Sequence, residues 1–232
     1  MATIPAGPDF FETKEEGTAF PFTNYARVPE HFFGQGSKPF LGVVRFRGEA
    51  VKSFTDPSGN KYNTGTADTV VLRKQDVSIA GNSGSGTTSI ELVVLSLVSS
   101  KAIEVEIGNK KHKWQVRLTV SKSKPSTGSM TITQTSASGG VWASELNVVP
   151  LFTFVGPGGE EKQLDFGQMQ IQKEKEPLFK QLNTLMASDV AWQFGSEEGG
   201  QASSSAAKTF VIPESVVHPQ HFILQVVAPV AK

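Results

Sequence analysis

His218 and His221 stand three residues apart with Pro219 between them, and closely spaced imidazoles are the first residues to test for metal chemistry. A metal site needs two or more neutral imidazoles, with carboxylates, converging on one point. Pro219 works against a helix here, so the two rings need not share a face. His31 and His112 complete the histidines of the chain. The expectation is a polar turn before the last strand, with no metal and no cofactor.

Acid–base chemistry needs carboxylates whose surroundings separate their pKa values. Asp68, Asp165 and Asp189 each lie at the end of a predicted apolar strand, where a carboxylate can be buried. An aspartate at a strand end more often accepts bonds from turn amides, and no motif brings two of these three together. A serine nucleophile needs a base and an oxyanion hole. Gly84-Ser85-Gly86 and Gly195-Ser196 have loop composition and lack the strand–turn–helix setting of a nucleophile elbow. No phosphate-binding or dinucleotide glycine pattern follows a strand. No catalytic residue is expected.

Trp114, Trp142 and Trp192 invite a sugar-stacking reading. Each falls on the apolar parity of its strand: Trp114 with Val116 and Leu118, Trp142 with Leu146 and Val148, Trp192 with Val190 and Phe194. Parity sorts the two faces of a half-buried strand, so these are expected core residues. Tyr25 and Tyr62, in loop-like segments, are the expected exposed aromatics. The Ser126 to Val149 and Gln201 to Val211 stretches interleave Ser, Thr and Gly with apolar residues. Membrane-inserting hairpins alternate in this way, and so do ordinary soluble hairpins.

The elements that must position these residues are strands. From Leu41 the hydrophobic period is two. Strands are predicted over Leu41–Val51, kinked at Gly48, and over Asp68–Arg73, with a turn at Asp56–Gly59 between them. Gly81–Thr87 reads as a flexible loop, and Ile90–Val98 as one strand buried on both faces. Ile103–Ile107 and Trp114–Val120 form a hairpin around Gly108–Lys111, in which Glu104 and Glu106 would face Arg117. Two more hairpins are predicted, Met130–Thr135 with Val141–Val149, and Leu151–Val155 with Lys162–Phe166. One change of period, at Leu178, Leu182, Leu185 and Met186 behind Pro177, predicts a short helix over Pro177–Ala187. Phe210–Ile212 and Phe222–Val227 close the chain as strands.

Residues 1–39 hold Pro5, Pro8, Pro21, Pro29 and Pro39 together with Phe10, Phe11, Phe20, Phe22, Phe32 and Phe33. Such a segment cannot be a long helix; it is expected as an extended arm pinned by aromatics on a sheet edge. Gly195 to Ala207 is low in complexity and expected as a mobile loop. The fold class expected is all-β: an antiparallel two-sheet sandwich over residues 1–232, with one short late helix and the N-terminal arm.

A chain of 232 residues is long enough to bury a core without staples. It has no cysteine, which excludes disulfides, thiolate metal sites and a cysteine nucleophile. Lys+Arg and Asp+Glu are both 22, so no net field would concentrate nucleic acid or anionic lipid, although a local patch is compatible with the total. Met1–Pro5 has no basic region followed by an apolar stretch, so no signal peptide is expected.

Several phrases, Ile4–Gly7, Val28–Phe40, Ala67–Arg73, Ile90–Ser99 and Pro125–Ile132, resemble a family of uncharacterised bacterial all-β proteins, many of them exported. The resemblance implies a β architecture and an extracellular or surface setting, with a cytoplasmic one as the alternative. It implies no catalytic or binding residue. The expected function is a non-enzymatic binding or structural module with a protein or glycan partner, no nucleic acid, and homo-oligomers allowed. The alternatives are a β-pore-forming toxin, the one reading that calls for a membrane, and an enzyme whose site is assembled from loops.

Overall fold

A computed structural model describes residues 2–13, 18–22, 27–80, 84–136, 139–168 and 192–193. Among them every regular element is a strand. In chain order these are β1 (Ala2–Ile4), β2 (Gly7–Phe11), β3 (Ala19–Phe22), β4 (Gly42–Gly48), β5 (Ser53–Thr55) and β6 (Lys61–Asn63). Next come β7 (Thr69–Arg73), β8 (Val77–Ile79), β9 (Ser85–Leu95), β10 (Leu97–Ser99), β11 (Ile103–Ile107) and β12 (Lys110–Val120). Then follow β13 (Ser126–Ser136), β14 (Gly139–Leu146), β15 (Pro150–Val155), β16 (Glu161–Asp165) and β17 (Trp192–Gln193). The predicted helix over 177–187, the loop at 195–207 and the closing strands at 210–212 and 222–227 lie outside the described residues.

All pairings are antiparallel. A seven-stranded sheet runs β16-β15-β12-β10-β4-β3, with β11 also paired to β12. A six-stranded sheet runs β17-β14-β13-β9-β7-β2, and β1-β8 and β5-β6 form two small ribbons. One sheet curls into a half-barrel. The apolar parity of both large sheets feeds one core. Phe20, Phe22, Phe46, Trp114, Phe152 and Phe154 come from the first, and Phe11, Ile90, Leu92, Met130, Ile132 and Trp142 from the second. The phenylalanines meet mostly edge to face, as their ring quadrupoles favour, with Phe20–Phe152 centroids 4.7 Å apart and Phe22–Phe152 5.0 Å apart.

Among the described residues of the first 22, β2 pairs with β7, β3 with β4 and β1 with β8, so Phe10, Phe11, Phe20 and Phe22 stand on edge strands of the two large sheets. Residues 28–40 form a compact loop closed by a Val28–Phe40 bridge. The Phe33 ring packs 5.0 Å from Trp114 and 5.3 Å from Phe154.

Three predicted elements differ. The apolar run Ile90–Val98 is two strands in two sheets: β9 belongs to the six-stranded sheet, β10 to the seven-stranded one, and Ser96 is the corner. The run is buried in both sheets: Ile90, Leu92 and Leu95 on β9, and Leu97 and Val98 on β10. The Ser96 amide donates to the Asp68 carbonyl at 2.9 Å and its carbonyl accepts from the Glu49 amide at 2.8 Å. β4 ends at Gly48 instead of kinking through it, and a side chain at that position would run into the Asp68 carboxylate. The glycines predicted as a flexible loop are tight: Gly84 sits against Ala80 backbone, and Gly86, inside β9, against Val77 and Ser78. The absence of a Cβ serves close approach at these positions.

The hairpins fall where alternation placed them. Ile107 faces Lys110 across the two-residue turn Gly108-Asn109, with Gly108 at φ +60°. Glycine at the first turn position suits the strand twist of a hairpin.

Candidate functional site

Asp68 is buried at the corner between the sheets, and its carboxylate is fully engaged in holding the chain. Oδ1 accepts from the Thr13 hydroxyl and from the Thr69 hydroxyl, each at 2.6 Å, and Oδ2 accepts from the Thr13 amide at 2.8 Å. These bonds tie the segment after β2 to the start of β7, a structural use of a buried charge. Asp165 ends β16 and accepts from the Ser123 hydroxyl at 3.0 Å and the Gly167 amide at 2.8 Å, as a turn aspartate does. Asp68 and Asp165 belong to different sheets and are not brought together. Asp189, His218 and His221 lie outside the described residues. His31 sits in the 28–40 loop at φ +62°, its Nδ1 accepting from the Gly36 amide at 3.1 Å. Among the described residues no three metal-ligating side chains cluster.

Trp114 and Trp142 are buried in the core, as their parity requires. For Trp192 only the backbone is described, in β17 opposite Gly140, and Tyr25 lies outside the described residues. Tyr62, expected as an exposed aromatic, is half-buried. Its ring stacks on Phe54 at 6.2 Å and its hydroxyl donates to Asp56 Oδ2 at 3.0 Å. Burial, with the bond to Asp56, raises the Tyr62 pKa, while the Asn60 side chain and the neighbouring amides hold Asp56 below the usual carboxylate value. This ribbon packs on Phe10 of β2 at 6.5 and 5.8 Å and covers that end of the six-stranded sheet.

The outer face of the seven-stranded sheet is different in kind. Successive outward positions along the β4 strand and its approach are Leu41, Val43, Arg45 and Arg47, all exposed, while Val44 and Phe46 point to the core. Register carries the same face across the sheet: Arg47 opposite Val98, Val98 opposite Arg117, Arg117 opposite Thr153, Thr153 opposite Gln163. Two strand spacings put the Arg47 and Arg117 backbones about 10 Å apart, with Arg45 about 7 Å along from Arg47. Val98 is on this outer face yet only 8% exposed, with the long arginine stems standing on either side. Lys113, two outward positions before Arg117 on β12 by parity, is exposed too.

The two glutamates of β11 are engaged elsewhere. Glu104, expected to face Arg117, lies opposite Lys113 in register and pairs with Lys111 at 3.2 Å, while Glu106 pairs with Lys38 at 3.5 Å. The expected contact of Arg117 with these glutamates fails because β11 lies beside the first half of β12, and β10 lies beside the second. Glu49, just past β4, makes no ion pair with Arg47. Arg45, Arg47, Lys113 and Arg117 make no salt bridge with any described residue. Four cations stand on this face of a chain with formal charge zero, with Glu49 exposed just past β4 and Glu161 and Asp165 at the β16 edge on either side of Gln163. The signal that could have found the cations was the alternation at Leu41–Arg47 itself: if Val44 and Phe46 are core, Arg45 and Arg47 must point outward.

Compared with protein-family models, with curated proteins and with solved structures, the chain matches none of them.

Proposed function

We propose that this protein is a non-enzymatic binding module, its two large sheets forming the layers of a sandwich, and that it holds an acidic partner on the outer face of the seven-stranded sheet. The observation that carries the reading is the set Arg45, Arg47, Lys113 and Arg117, without a salt bridge among the described residues and fixed by strand register on one sheet. Guanidinium groups present planar forks of donors suited to carboxylate, sulfate or phosphate. Thr153 and Gln163 continue the row with neutral hydrogen-bonding groups. Exported or surface placement fits such a module, in line with the family resemblance.

Two features favour this over the alternatives. The Asp68 carboxylate is saturated by threonine donors, which leaves an enzyme reading without its best-buried acid. The Ser126–Val149 hairpin has Met130, Ile132, Trp142 and Leu146 in the core, so its alternation serves packing.

The test is retention on an immobilised polyanion at low salt. The wild-type protein should be held and released by rising salt, and the Arg45→Gln, Arg47→Gln, Arg117→Gln triple variant should pass through. A wild-type protein that is not retained, or a variant retained equally, would remove the basis of the proposal.

A further inference from the structure

We infer that the acidic partner on this face is the surface of an anionic lipid bilayer, bound peripherally and without insertion of the chain across it; this rests on the reading of the face as an anion-binding surface. Leu41 and Val43 are the exposed large hydrophobic residues among the described ones, at 51% and 64%. Scattered at random they would need no explanation. Val43 is on β4 with Arg45 and Arg47 on the same parity, and Leu41 lies just before the strand, so one exposed line reads apolar, apolar, cationic, cationic. Lys113 and Arg117 on β12 widen the cationic part, and Arg47 and Arg117 occupy one register row.

A bilayer surface offers that combination of chemistry. Anionic headgroups attract Lys and Arg within a Debye length, and small apolar side chains enter the boundary between headgroups and acyl chains. A soluble polyanion would satisfy the arginines and leave Leu41 and Val43 in water. Single-stranded nucleic acid binding draws on aromatic platforms for its bases, and this face carries no aromatic ring among its outward residues. The position of the apolar pair is also held firmly. The Phe40 ring turns inward onto Phe22, centroids 5.7 Å apart, and the Val28–Phe40 bridge closes the loop behind it, so Leu41 faces out.

Co-sedimentation with vesicles of phosphatidylcholine alone, and of phosphatidylcholine mixed with phosphatidylglycerol, tests the inference on the full chain. Binding should need the anionic lipid and weaken as salt rises. The Arg45→Gln, Arg47→Gln, Arg117→Gln variant should bind about a hundredfold more weakly, from about fivefold per lost charge. Leu41→Ser with Val43→Ser should lose at least about tenfold, while its retention on a soluble sulfated polysaccharide stays unchanged. All five positions are solvent-facing, and unfolding midpoints close to wild type would show that the variants fold. Vesicle contents should stay trapped.

Absence of binding to anionic vesicles, or binding indifferent to Leu41 and Val43, would overturn the lipid assignment. If arginine-dependent retention on the polysaccharide persisted in that case, the anion-binding face would stand and its partner would be a soluble polyanion. Loss of both would bring down the face as well. Release of vesicle contents would overturn peripheral docking in favour of a pore.

Discussion

On the six-stranded sheet the Arg73 side chain is 3% exposed and donates through Nε to Asp9 at 2.9 Å, whereas on the seven-stranded sheet Arg45, Arg47 and Arg117 stand in solvent without a salt bridge to any described residue. Arg73 shares its strand parity with Val71 and so points to the core side, at the edge where β2 joins β7. A second donor, Nη1, bonds to the Pro5 carbonyl. This arginine fastens the N-terminal strand. The others make no ion pair with any described residue, the contrast on which the proposed binding role rests.

The outer faces of the two sheets differ in the same sense. Beyond the part covered by the β5–β6 ribbon, the six-stranded sheet presents hydroxyls in register: Ser85 opposite Thr133, Thr87 opposite Thr131, Ser89 opposite Ser129. The Thr87 and Thr131 hydroxyls are 3.0 Å apart and bond to each other. One face thus satisfies part of its own polarity across the strands, and its Glu91 is paired with Lys74 at 2.6 Å. The other holds like charges apart and leaves them unsatisfied. Solvent exposure by itself does not mark a site; exposure of groups with no internal partner does.

Replacing Arg73 should break the contrast most severely. Arg73→Met leaves the Asp9 carboxylate buried without its cation, for an expected loss of about 3–5 kcal/mol in urea unfolding. Burial already pushes Asp9 above the usual carboxylate value of 3.8, against the pull of Arg73, so the folded state keeps the Asp9 proton to a higher pH than the unfolded chain does. The stability linked to that proton is fully present below 3.8 and is lost as pH rises through the raised value. Removing Arg73 raises that value further. The deficit of Arg73→Met should therefore shrink on acidification toward 3.8, and a deficit that grew instead would show that Asp9 does not carry the cost.

At the corner between the sheets, Gly48→Ala should cost about 1–3 kcal/mol, because the added methyl meets the Asp68 carboxylate. A neutral outcome in thermal unfolding would mean that the corner yields, and that Asp68 is less firmly held than its three hydrogen bonds imply. On the hydroxyl face, Thr131→Val removes one exposed cross-strand bond and should cost about 0.5 kcal/mol. The smallest effect is expected where the binding role is proposed. Arg45→Gln, Arg47→Gln and Arg117→Gln should each stay within about 0.5 kcal/mol of wild type. A larger loss for any of them would show an internal partner and weaken the comparison with Arg73.

Much of this architecture was legible because alternation is a local property. The Ile103–Val120 hairpin, the turn at Asp56–Gly59, and the burial of Trp114 and Trp142 follow from residues two positions apart. The candidate face was legible only in part. Leu41–Arg47 read as a strand with apolar and basic sides, but whether Arg45, Arg47 and Arg117 share one face depends on β10 lying between β4 and β12. Glu104 and Glu106 seemed the natural partners of Arg117 because they lie closest in the hairpin. The division of β12 between β11 and β10 placed them beside its lysine-bearing half.

The sequence by itself determined that this is a β protein, where most of its strands run and which side of each faces the core, because a side-chain period of two is written in neighbouring residues. Only the tertiary structure decided which strands stand side by side, that Ser96 carries the chain from one sheet to the other, that Asp68 accepts three threonine donors, and that four cations on one face make no salt bridge among the described residues. Pairing across 50 or more residues depends on packing and hydrogen bonds that exist only once distant strands have come together.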